Sequence, residues 1–337
     1  MTTARPTVLT LPTPADYRLA RDACSYGYFI LAPNFWDVRS QTFSRALELE
    51  GGPVLVTVSQ PNAPDAPGGD APAPPLRARF SRALTRSEQA EAKRQLVRMF
   101  LLDFSAEDAA AFHAVDPRWK ASGRARLMRS PTLFEDILKT VTSCNIAWPA
   151  TQTMNHQLCR VLGRRVPGLT ARTSETAYTF PSPQKLARAR LGTLRGRCRV
   201  GYRDARMQQL ARMFARGEID GAWLEDPATP DAEVERYLLD LPGIGPYAAA
   251  NIMQLLRRYS RLALDTESVR HGRAVLGMEG ETPEILRRLR EHYEPFGRYR
   301  FLSYWFELWD FYEAKRGPAH TWDRDTTGRT FTAALLA

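Results

Sequence analysis

The stretch Leu241-Pro-Gly-Ile-Gly-Pro-Tyr247, followed by Ala248-Ala-Ala-Asn-Ile-Met-Gln-Leu-Leu256, constrains this chain more than any other. A helical run from Val234 to Leu239 must stop at Pro242. Glycines at 243 and 245 permit a tight reversal with positive φ, and Pro246 fits the first turn of a new helix. The pattern predicts helix, hairpin, helix. The amides around Gly243, Gly245 and Tyr247 open that second helix without intrahelical acceptors, so they form a positively polarised site matching one phosphate. Eighteen residues after Tyr247, the apolar run Leu262-Ala-Leu ends in Asp265-Thr266.

Charge points the same way. The 337 residues carry a net charge of +10, which suggests a polyanionic partner. Between Lys185 and Arg216 stand ten Lys or Arg and one acid, Asp204, so this segment holds almost the whole excess. A solvated basic helix face is the plain alternative. The four cysteines, Cys24, Cys144, Cys159 and Cys198, are scattered without metal spacing and read as reduced core thiols. No run approaches a membrane span, and residues 1–14 lack the build of a signal peptide. The expectation is a cytoplasmic protein in a bacterium and a nuclear one in a eukaryote, with no membrane partner.

The length allows two or three lobes with cores of their own. Residues 26–31, 42–50, 54–59 and 76–80 are short, β-rich and separated by turn residues, predicting an antiparallel sheet. Between the last two lies Gln60 to Pro75, with six prolines and two glycines, read as a flexible insertion. Helix is predicted from Ser87, taken as its N-cap, and from Ser105 onward almost throughout. Ser105-Ala-Glu-Asp108 reads as a capping box, residues 131–142 as an amphipathic helix, 151–162 as the next, 194–201 as a basic loop and 202–215 as a basic helix. The fold class is mainly α with an N-terminal antiparallel β-sheet lobe, in three units: 1–103, 104–235 with the basic segment, and 236–337 with the hairpin.

Leu-Pro-Gly-Ile-Gly, a helix, then an apolar turn ending in Asp-Thr and followed by Val269-Arg270 resembles the helix-hairpin-helix (HhH-GPD) superfamily of base-excision DNA glycosylases. Residues 134–163, Phe180-Pro-Ser-Pro and Gly201-Tyr-Arg-Asp-Ala-Arg206 are similar in order and spacing to its 8-oxoguanine and 3-methyladenine branches, and residues 296–309 to its closing aromatic helix. The likeness covers roughly residues 105 to 312. It implies two helical lobes flanking a DNA-binding cleft, and a monomer acting on double-stranded DNA that contains a damaged base.

Removing a base from a duplex requires a grip, a wedge and a pocket, because the nucleotide must be swung out and its place in the stack filled. Grip is expected from Gly243, Gly245, Tyr247, Arg199, Arg203 and Arg206. The wedge is expected at Asn145 or Trp148, where a turn residue is the plain alternative for Asn145. Pocket walls are expected at Tyr247, Trp305 and Trp309, for which core packing is the alternative. Cleavage of the N-glycosidic bond builds positive charge on the sugar, and Asp265 is the carboxylate placed to stabilise it; it can also cap the helix beginning near Thr266.

In the family's bifunctional members a lysine forms a Schiff base at the place of Tyr247, so the resemblance implies a monofunctional enzyme that leaves an abasic site. Tyr247 also favours the 3-methyladenine branch, and alkylated purines are the first expectation for substrate. No cysteine follows Asp265, so no iron–sulfur cluster is expected, and no cofactor is needed. Family hairpins hold sodium or potassium on backbone carbonyls, here those of Leu239, Leu241 and Ile244. Where many relatives carry histidine after Asp-Thr, this chain has Glu267. Three other readings stay open: a non-catalytic lesion-binding protein, a bifunctional oxoguanine-type glycosylase/lyase, and a basic scaffold for RNA or protein.

Overall fold

The computed structural model describes residues 5–61, 73–169 and 177–323. Most of the proline-rich insertion, residues 62–72, lies outside them. Five strands, β1 (Val8–Leu11), β2 (Phe35–Asp37), β3 (Thr42–Leu49), β4 (Gly52–Ser59) and β5 (Leu76–Phe80), form one antiparallel sheet in the order β1-β5-β4-β3-β2. Alternation decides its face: Phe43 pairs with Val58 and Leu47 with Val54, all four buried.

Three strands thus fall where the sequence places them, and the fourth does not. Residues 26–31 form a 3-10 turn, Gly27–Ile30, closed by Phe29 N–H to Tyr26 O (3.1 Å) and Leu31 N–H to Tyr28 O (3.1 Å). Every residue of this run is buried, so its unbroken apolar pattern carries no period-2 signal to separate strand from buried turn. β1 and β2 are the strands that sequence reading missed.

Among the described residues thirteen α-helices follow or interleave: α1 (Leu19–Ala23), α2 (Arg86–Phe100), α3 (Ala106–Val115), α4 (Leu133–Ser143), α5 (Trp148–Leu162), α6 (Pro183–Ala187), α7 (Asp204–Ala215), α8 (Gly221–Glu225), α9 (Asp231–Leu239), α10 (Pro246–Leu255), α11 (Thr266–Ala274), α12 (Thr282–Tyr293) and α13 (Arg300–Arg316). The cap of α2 is Thr85, not Ser87, because Thr85 and Glu88 satisfy each other's backbone N–H in a capping box. Ser105 and Asp108 cap α3 in the same way, as expected. The expected basic loop is instead a tight helical turn, Thr193–Arg197, followed by a 3-10 turn, Gly201–Arg203. No helix among the described residues is long and apolar enough to cross a membrane.

The hydrophobic cores cross the unit boundaries expected from sequence. One core joins the sheet and α2 to Val269, Ile285, Leu289, Tyr304 and Leu308 of α11, α12 and α13. A second joins α4, α5 and α7 to Val234 and Leu238 of α9 and to Ala248, Ile252 and Met253 of α10. A third lies under both, with Phe112 against Tyr299 and Phe306, and takes Ala250 from α10. The hairpin and Asp265 therefore belong to different bodies of side chains. Between sheet and second core sits a buried ionic knot: Arg45 of β3 meets Glu135 of α4 (2.8 Å), which also pairs with Lys139 (2.7 Å). Asn34 Oδ1 accepts from Arg45 Nη1 at 2.8 Å, and the buried charges are paired.

Candidate active site and nucleic-acid interface

The hairpin between α9 and α10 needs its two glycines for different reasons. Gly243 has φ +79°, the left-handed region that favours glycine. Gly245 does not share it: its backbone is extended, with φ −101°, and it caps α10. A Cβ on Gly245 would meet nothing within 4 Å. Its lack of a side chain clears an approach rather than permitting a turn. The N–H groups of Gly243, Gly245 and Tyr247 find no backbone acceptor among the described residues, and both glycines are exposed. These amides are free to meet an anion.

The three arginines expected to grip phosphate part company. Arg206 is exposed and lies along Gly243, adding a cation beside the free amides. Arg203 is buried, with 4% of its surface exposed, and is a structural clamp: its Nε donates to Val141 O (3.1 Å) and its Nη2 to Cys144 O. It satisfies carbonyls left over at the end of α4 and is not available to a phosphate. Arg199 is exposed but lines a separate concavity with Arg160, Arg197 and Tyr178, away from the hairpin residues.

Asp265 stands at the N-cap of α11 and is half-buried. Its Oδ1 accepts from Glu267 N–H (2.9 Å), Ser268 N–H (3.1 Å) and Ser268 Oγ–H (3.3 Å), and the nearby Tyr247 hydroxyl also favours the charged carboxylate. Burial pushes its pKa up, and these donors oppose the rise without cancelling it. The capping role and a catalytic role coexist here, because capping occupies only one oxygen.

Tyr247, the first side chain beyond the hairpin proline, is half-buried against α13. Burial, then the charge of Asp265, raise its pKa well above the ordinary tyrosine range, so its hydroxyl remains a donor. Asn251, one helical turn on, opposes that rise from beside the Tyr247 hydroxyl and accepts from Tyr26 Oη at 3.0 Å. Tyr26 packs on Trp305 with ring centroids 4.7 Å apart, and the Trp305 indole N–H donates to Ser25 O (2.8 Å). Tyr26 and Asn251 were not singled out from sequence. The spacing of four between Tyr247 and Asn251 on one helix face was the available signal.

Two expected pocket or wedge residues are placed elsewhere. Trp309 is 2% exposed, packs on Trp322 and Tyr312, and faces a 440 Å³ cavity lined by Asp22, Cys24 and Glu313 rather than by Asp265. It is a core residue that reaches the site through its stack on Trp305, 5.4 Å between centroids. Trp148 does not project as a wedge. Its indole lies against Gly27 and packs beside Tyr26, Tyr28 and Leu255, because as the first residue of α5 it is turned inward. Asn145 is exposed with φ +52° in the turn between α4 and α5, and Ile146 beside it is 41% exposed. The tip of that turn is thus Asn145-Ile146.

No group of three His, Cys, Asp or Glu side chains among the described residues could hold a metal ion. At the hairpin, the carbonyls of Leu239 and Ile244 accept no backbone hydrogen bond from described residues, and Leu241 O accepts one, from Ile244 N–H at 3.1 Å.

No family model and no curated protein matches the sequence. Solved structures do match. The 3-methyladenine DNA glycosylase of Archaeoglobus fulgidus is 19% identical, with a TM-score of 0.58 over 91% of this chain and 98% of that one. The 8-oxoguanine glycosylase/lyase of Clostridium acetobutylicum in its apo form gives 0.59 at 16% identity, again over 91% and 98%. The same enzyme in complex with duplex DNA containing cytosine opposite 8-oxoguanine gives 0.55 at 18%, over 80% and 88%. With a five-stranded antiparallel sheet, a helix-hairpin-helix and an aspartate opening the next helix, this chain has the fold of the helix-hairpin-helix DNA glycosylases.

Proposed function

We propose that the protein is a monofunctional DNA glycosylase, hydrolysing the N-glycosidic bond of an extruded damaged base and leaving an abasic site. The observation that carries this reading is Asp265: a half-buried carboxylate, held through Oδ1 at the cap of α11, the next helix after a hairpin helix whose amides await an anion. In such a setting a negative charge stabilises the cation developing on the sugar far better than in bulk water. Water adds its oxygen to C1′ and gives up a proton as the base departs with the bonding electrons.

Tyr247 supports the monofunctional form, because a phenol forms no Schiff base. Lys139 is wholly buried and paired to Glu135, so it supplies no amine either. An N-alkylated purine fits best as substrate. It carries positive charge, stacks well on the rings of Tyr26, Tyr247 and Trp305, and leaves as a neutral base without needing a proton donor. Asn145-Ile146, exposed in the turn before α5, would fill the vacated stack. A monovalent cation held by the carbonyls of Leu239, Leu241 and Ile244 would draw the hairpin together and add positive charge behind the phosphate.

The test is incubation with duplexes carrying alkylated, oxidised or deaminated bases, followed by alkali to reveal abasic sites. Base release is expected from alkylated duplexes by the wild type and not by Asp265→Asn. Tight binding with no release from any duplex would instead favour a lesion-binding protein, and an adduct trapped by borohydride would sink the monofunctional assignment.

A further inference from the structure

Asp265 is served by a directed relay of hydroxyl groups that the phosphate grip and aromatic walls do not explain. Ser268, three residues into α11, is wholly buried. Its Oγ accepts from Asp265 N–H (3.0 Å), approaches Asp265 Oδ1 (3.3 Å) and lies 2.7 Å from Tyr304 Oη on α13. Proton counting orients the chain. Ser268 has one hydroxyl hydrogen, and a carboxylate is the stronger acceptor. Tyr304 is 2% exposed and, among the described residues, has no hydrogen-bond partner but Ser268, so its own hydrogen goes to Ser268 Oγ. The order is Tyr304 to Ser268 to Asp265.

All donors from α11 and this relay converge on Oδ1, and Oδ2 receives none of them. We infer that Ser268 and Tyr304 are positioning residues for the reaction proposed above: they fix the carboxylate through Oδ1 and keep Oδ2 charged and directed at the sugar. The inference rests on that reading of Asp265 but concerns residues that no part of it requires.

Besides this relay, the α11 amides and the Tyr247 hydroxyl also favour the charged carboxylate, and the other neighbours add no cation. The groups whose charge Asp265 feels are Cys144 before α5, Tyr247 on α10, Glu267 on α11, and Tyr304 and Tyr312 on α13. Burial raises Cys144 to about 11 and raises all three tyrosines, so these remain neutral near pH 7. Glu267 is the one acid among them and disfavours the charged form of Asp265. The hydroxyl relay works against it.

The experiment is a titration of the full-length protein with ¹³C at the aspartate side-chain carboxyl, the Asp265 signal identified by its loss in Asp265→Asn. Glu267 carries no label and does not interfere. Ser268→Ala is expected to raise the Asp265 titration by about one pH unit, as for loss of a donor to a buried carboxylate. Tyr304→Phe should raise it less, and Ser268→Ala with Tyr304→Phe should match Ser268→Ala alone. Ser268→Thr should restore the wild-type value. In base release, the acid limb of kcat should move with the titration while KM for the duplex stays put.

An unmoved titration in folded Ser268→Ala overturns the inference; should that variant not fold, an unmoved titration in Tyr304→Phe does so. Absence of base release by the wild type would overturn the glycosylase reading, and the carboxyl titration would still decide the relay.

Discussion

The stem of Arg206 fills the space that a Cβ on Gly243 would need, since the two would lie 2.7 Å apart. Gly243 also has φ +79°, so Gly243→Ala is expected to cost about 1–2 kcal/mol of stability. Gly245→Ala, with extended backbone and open space around it, should unfold at the wild-type temperature. It should nonetheless weaken binding to every duplex alike, because its methyl group would stand where a phosphate must approach. Thermal unfolding and duplex titration together check the pair; a loss confined to one lesion would contradict a phosphate role.

Arg203 and Arg206 are three residues apart and should respond oppositely. Arg206→Ala is expected to leave stability unchanged and to reduce the log–log salt slope of duplex binding by about one. Arg203→Ala strips the partners from two carbonyls at the end of α4 and should cost about 2 kcal/mol or more in denaturant unfolding.

Trp305 and Trp309 stack on each other, and Trp305 packs on Tyr26 beside the site while Trp309 packs on Trp322 and Tyr312. Trp305→Ala should reduce the preference for lesion-bearing over undamaged duplex roughly tenfold, the worth of one lost base–aromatic stack. Trp309→Ala opens a hole in the core and should cost about 3–5 kcal/mol, with lesion preference retained in protein that remains folded. Competition binding and calorimetry separate the two.

Acid should destabilise the protein through its buried glutamates. Burial raises Glu135, but Arg45 and Lys139 reverse this and hold it well below the usual carboxylate range. Burial likewise opposes His271, Tyr293 and Arg118 at Glu307, which ends at about 2. A folded-state pKa below the unfolded one adds stability in full above the unfolded value, and that stability is lost as pH falls through the folded one. The unfolding free energy should therefore decline from about pH 4.3 downward. Glu135→Gln, measured by urea unfolding, should flatten that decline.

The parts legible in the sequence are those written in local chemistry. Proline and glycine punctuate the hairpin whatever surrounds it, and an aspartate ahead of Thr266 caps a helix by its own backbone geometry. Whether an arginine points outward is decided by tertiary packing, which is why Arg203 reads from sequence like Arg206 and proves to be internal. Trp148 and Trp309 are likewise fixed by what lies across from them. Residues 26–31 lost their identity for a related reason: a run apolar at every position shows no period. Ser268 was within reach, as a hydroxyl at the third helical position after a capping aspartate, but Tyr304 closes over it only in three dimensions.

The division of cores has a mechanical consequence. The phosphate grip rides on α9 and α10, anchored in the helical core, while Asp265 opens a helix that packs on α12 within the core shared with the β-sheet, and residues 256–265 are the covalent link between them. The sheet touches neither grip nor acid directly, yet it is the abutment against which the acid is braced. Any loosening between the two bodies, at the Arg45–Glu135 knot for instance, would leave the duplex held as firmly as before with the carboxylate out of register. Tight binding and slow hydrolysis would then arise together from a change far from both.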